Sequence, residues 1–115
     1  MAQHEALTLA RWMEFDLDRQ VLMIANEMNR GAKVLSASED RLRRNSYERV
    51  LALVDLTVQA NPSRGLRREL LRWRGLVGAL YVAPEGNDSA HAAALRVLLQ
   101  FTPAAARQLP LLSRA

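Results

Sequence analysis

The stretch RRELLRWRGLVGALY, residues 67–81, decides how the chain is read, because it sets four arginines around one tryptophan. A helix that grips a single nucleic-acid strand interleaves aromatic and basic side chains, so that bases stack while phosphates pair. A core helix with a basic rim keeps the two apart. With Leu66 as origin and about 100° per residue, Leu70, Trp73, Val77, Leu80 and Tyr81 fall within about 60° of one line. Arg67 and Arg74 lie near 80–100°, Arg64 and Arg68 near 160–200°, and Arg72 near 240°, all approximate. Tryptophan and arginines therefore point different ways, which predicts Trp73 in the core and the arginines on the rim.

One feature of this helix is not explained by a single buried face. Leu71, Gly75, Gly78 and Val82 form a second seam, stepping by 4, 3 and 4 residues. Each glycine inside a helix costs ~1 kcal/mol relative to alanine. A line of small residues lets another backbone come close, so this seam is expected to be an interface.

The rest of the chain follows the same helical period. Leu17, Val21, Ile24, Met28, Gly31 and Leu35 step by 4, 3, 4, 3 and 4, with Ala10 and Met13 extending the seam backwards. This predicts a long first helix from about Gln3 to Leu35. Its flanks carry Phe15 and Leu22 on one side and Trp12 and Met23 on another, and Phe15 and Leu22 are expected to join the interface. Asn26, Asn29 and Arg30 form a polar patch on its outer side. Ser36 and Glu39 fit a capping box ahead of a second helix over about 38–60. That helix is apolar over most of its circumference, Leu42, Ser46, Val50 and Leu53 included. It leaves one polar stripe of Arg44, Glu48, Asp55 and Gln59, which places Asp55 on the surface and not in a catalytic pocket. Asn61 and Pro62 end it, since proline cannot continue the hydrogen-bond ladder. A third helix is predicted over 64–82, then a loop at 83–89. A fourth helix, capped by Asp88 or Ser89, runs to about Phe101. Thr102 and Pro103 are a cap and first-turn pair for a short fifth helix. No alternating β-branched run appears.

The expected fold is all-α: an antiparallel helical bundle of three long helices plus one or two shorter C-terminal helices. A chain of 115 residues, half of them hydrophobic, suits a single domain spanning 1–115. The absence of cysteine excludes disulfides and thiolate chemistry. No stretch reaches the ~20 apolar residues of a membrane span. The N-terminal MAQHEALTLARW lacks the basic start and apolar block of a signal peptide, so a cytoplasmic location is expected.

Little in the chain suggests catalysis. His4 and His91 sit far apart and outside any zinc-binding spacing, and each is expected to be a surface or capping residue. Nucleophile motifs and glycine-rich phosphate loops are absent. Glu14 and Asp18, one turn apart on the predicted first helix, are expected at a solvated edge. No cofactor is expected. The net charge of +4 comes from residues 62–83, which hold five arginines against Glu69. The leading expectation is a noncatalytic homodimeric adaptor or regulatory protein whose interface uses Leu71, Gly75, Gly78, Val82, Phe15 and Leu22. The alternative is nucleic-acid binding through Arg64, Arg67, Arg68, Arg72 and Arg74, carried by charge and steeply salt-dependent.

Overall fold

The computed structural model of the chain describes residues 7–36 and 40–110. Every regular element among them is helical: α1 (Leu9–Trp12), α2 (Leu17–Ala32), α3 (Asp40–Ala60), α4 (Arg64–Val82), α5 (Asp88–Leu98) and α6 (Pro103–Ala106). No helix among the described residues is long and apolar enough to cross a membrane.

The expected first helix is broken. Residues 13–16 interrupt it, and positions 3–6 lie outside the described residues. Asp16 stops the helical path by taking an extended conformation and capping α2, its carboxylate accepting from the Arg19 N–H at 2.9 Å. Gln20 bridges the break, donating to Phe15 O at 2.8 Å and, beside the Phe15 N–H, to Trp12 O at 3.0 Å. The break turns Trp12, placed on a flank by the sequence pattern, fully into the core, where its indole N–H donates to Thr57 Oγ1 at 2.9 Å. Ala10 and Met13 accordingly do not extend the α2 seam: Ala10 is exposed and Met13 is 57% exposed. Glu14 stands in the turn, so it and Asp18 do not share one helix face.

α4 has the bounds its sequence predicts, with Ser63 capping it through the Leu66 N–H. α5 is capped by Asn87 and not by Asp88 or Ser89. The Asn87 side chain accepts from the Ala90 N–H at 2.9 Å, and Asp88 becomes the first helical residue. α5 also ends at Leu98, short of Phe101. Thr102 and Pro103 open α6 as expected, Thr102 Oγ1 accepting from the Ala105 N–H at 3.1 Å. Glu39 and the first residues of the predicted second helix lie outside the described residues, so the capping box does too.

Side-chain pairings fix the helix directions. Arg43, Glu48 and Asp55 of α3 meet Ala83, Tyr81 and Arg74 in that order, so α3 and α4 run antiparallel. Gln20 meets Asn61 while Glu27 meets Arg49, so α2 and α3 are antiparallel as well. The core between them is built on Val21, Ile24, Met28, Tyr47, Val50, Val54, Trp73 and Val77. α5 packs on α2 and α4, and closes one side.

The α3 stripe is largely as expected. Arg44, Glu48 and Gln59 are exposed, and Asp55 is half-exposed in an ion pair. Leu42, assigned to the apolar face, is 39% exposed. Arg43 is buried at 3% because its guanidinium finishes the end of α4, donating to Ala83 O at 2.9 Å and Pro84 O at 3.3 Å. Gly86 is required where this loop crosses α2's C-terminal turn, since a Cβ there would collide with the Leu35 carbonyl.

His91 corrects the expectation of a surface or capping histidine. It is 3% exposed, because α5 turns it inward between α2 and α3. Its Nε2 lies 2.8 Å from Met28 O and its Nδ1 lies 2.8 Å from the Tyr47 hydroxyl. His4 lies outside the described residues.

Candidate interaction face

α4 presents three different sides. The inner side buries Leu70, Trp73 and Val77 almost completely, each worth roughly 1.5–3 kcal/mol or more in apolar burial. The Trp73 indole N–H donates to Ala94 O at 2.8 Å and so fixes α5 against α4.

The arginines divide by what they already hold. Arg67 donates through Nε to Val58 O at 2.9 Å and Asn61 O at 2.8 Å, satisfying carbonyls where α3 ends. Arg74 grips Asp55 with two nitrogens, at 2.7 Å and 3.3 Å, and the hydrogen bond to that carboxylate raises its pKa above the ordinary guanidinium value. Arg72 pairs with Glu69 at 3.2 Å on the open surface. Arg64 and Arg68 are exposed and make no hydrogen bond or ion pair among the described residues. The five arginines therefore do not form one free cationic surface: Arg67 and Arg74 are structural.

The outer side carries the second seam. Leu71 is 53% and Val82 75% exposed, and a Cβ built on Gly75 or Gly78 would meet nothing within 4 Å. Leu76, on the other flank of α4, about 130° round the helix from the seam, is 46% exposed. The sequence pattern singled out the seam but not Leu76. The signal was present, since Leu76 is apolar and sits about 80° from the inner axis of the helix. A shallow hollow lined by Pro62, Arg64, Arg67, Arg68 and Leu71 leads onto the N-terminal end of this face. Just past its other end stands Glu85, exposed and without an ion pair among the described residues.

Phe15 and Leu22 lie elsewhere. Both are half-buried against their own core, and the Phe15 ring meets Trp12 edge-on at 6.0 Å. Phe15 stands in the turn ahead of α2 and Leu22 on α2 itself. Asn26, Asn29 and Arg30 are exposed, as expected. Among the described residues no group of three or more histidines or carboxylates is placed to hold a metal ion.

Comparison of the chain with protein families, with characterised proteins and with solved structures returns no match.

Proposed function

We propose that this protein is a noncatalytic interaction module, a cytoplasmic adaptor or regulatory subunit that self-associates through the outer face of α4. Its three long helices form an antiparallel bundle that presents this face to a second copy. The observation that carries the reading is the open seam: Leu71 and Val82 stand exposed around two glycines whose Cβ positions face empty space. Glycine weakens a helix unless close approach offsets the cost. Exposed apolar patches of this kind mark interaction sites.

An isologous pair suits this face, because two-fold symmetry lets one patch serve both subunits. Two antiparallel copies of α4 crossing between Gly75 and Gly78 set Leu71 against the second copy's Val82. The same register brings the uncommitted Arg68 towards the second copy's Glu85, so the ends of the face complement each other in charge.

Sedimentation velocity over a concentration series tests the reading. The wild-type chain is expected to sediment as a dimer, and Gly78→Leu as a monomer. The added Cβ meets nothing within 4 Å in the isolated chain and leucine improves helix propensity, so the variant is expected to keep its fold. A wild-type chain that remains monomeric at high micromolar concentration overturns the proposal.

A second reading, nucleic-acid binding, retains Arg64 and Arg68, the two of the five α4 arginines whose side chains have no partner among the described residues. Binding carried by so few cations would be weak and would depend only shallowly on salt, because the slope scales with the number of phosphates paired. Fluorescence anisotropy with single-stranded RNA and duplex DNA, comparing the wild type with the Arg64→Glu, Arg68→Glu double variant, measures it directly.

A further inference from the structure

A second open feature lies on the opposite side of α5 from α4. Where α5 crosses α2, a cleft of about 390 Å³ remains. That volume is within the range of small-molecule sites. Its apolar lining is Ala32 and Leu35 from the α2 side and Ala92 and Leu95 from α5. The two alanines keep the cleft open, because larger residues there would close the groove as side chains do elsewhere in the core. Its floor is fixed: His91 is tied to both α2 and α3 by hydrogen bonds.

The charges around the cleft are arranged by sign. Asp88 and Arg96 both line it, and both are exposed without an ion pair among the described residues. They lie eight residues apart on α5, about 12 Å along the axis, with Ala92 and Leu95 between them on the same face. The two charges are thus separated by an apolar wall and do not neutralise each other.

We propose that the α2–α5 cleft binds a linear dipolar ligand, an apolar chain with a cationic group at one end and a carboxylate at the other. Asp88 receives the cation and Arg96 the carboxylate, the latter through the planar fork that suits this partner. The chain lies along Ala32, Ala92, Leu35 and Leu95. The proposal is independent of the α4 face.

The test is a titration of the isotopically labelled full-length chain with ω-aminooctanoate, octanoate and octylamine, followed by amide chemical shifts. The ω-amino acid is expected to saturate in the millimolar range or below, shifting residues of α5 and the C-terminal half of α2. Its affinity should exceed that of either singly charged chain by about threefold, as exposed charge pairs contribute modestly. Asp88→Asn should lower it to that of octanoate, and Arg96→Gln to that of octylamine. Ala32→Leu, at an exposed position that tolerates the change, should fill the cleft and abolish binding of all three. Absence of saturable shifts overturns the proposal. So do equal affinity for the three probes and unchanged binding in Ala32→Leu.

Discussion

The hydroxyl of Tyr47 donates to Nδ1 of His91 across 2.8 Å. The direction follows from the other side of the ring: Met28 O can only accept, so Nε2 carries the proton and Nδ1 is left as acceptor. One neutral imidazole thereby joins α2, α3 and α5. Burial pushes the Tyr47 phenol up to about 12, so it remains a donor throughout the neutral range.

Burial also lowers the His91 pKa below its ordinary 6.5, outweighing the Met28 hydrogen bond and the nearby Asp88 charge, which raise it. The unfolded chain therefore binds the proton at a higher pH than the folded one. The stability this site contributes is fully present above about pH 6.5 and is lost as pH falls towards the folded value. Denaturant unfolding between about pH 5 and 8, a range that spans the unfolded imidazole's titration, should show the midpoint dropping on the acid side. His91→Gln should flatten the drop. An equally steep acid limb in that variant would sink the assignment.

Gly31 and Ser46 set the spacing of α2 and α3. A Cβ on Gly31 would lie 2.5 Å from Ser46 Oγ, which is itself buried with no hydrogen-bond partner. Gly31→Ala should destabilise the fold by about 1–3 kcal/mol through overpacking. Ser46→Ala removes an unsatisfied hydroxyl and should be neutral or stabilising. The double variant should recover most of the loss, which a double-mutant cycle by chemical denaturation reads as coupling.

Gly75 and Gly78 behave oppositely, because their Cβ positions are open. Alanine at both should raise the stability of the isolated chain by up to ~1 kcal/mol each through helix propensity. The same double substitution should weaken self-association. Thermal unfolding at low concentration and sedimentation at high concentration should therefore move in opposite directions; parallel gains would argue against an interface.

Gln20 is 2% exposed and has three partners, Trp12 O, Phe15 O and the Asn61 side chain. Gln20→Leu should cost about 1–3 kcal/mol by leaving the Phe15 carbonyl unpaired and the Trp12 carbonyl with its Phe15 N–H alone. Asp55→Asn, which breaks a half-exposed ion pair with Arg74, should cost less than about 1 kcal/mol. Equilibrium urea unfolding of the two variants checks the ranking.

The sequence by itself determined α4, its bounds and its sidedness. Helical periodicity is a local property: Leu66 to Tyr81 repeat with the turn, and Ser63 caps whatever lies downstream. It also exposed the Leu71–Val82 seam, because the glycines stand out against their helix. Two other features were decided only by the tertiary structure. Asp16 offers a local cap at the break of residues 13–16, but the turn of Trp12 into the core there depends on Thr57, 45 residues away, and on Gln20 finding Asn61, 41 residues away. The burial of His91 depends on Tyr47 and on Met28, 44 and 63 residues away. A polar side chain enters a core only where distant partners meet its hydrogen bonds, and hydrophobic spacing along the chain carries no record of those partners.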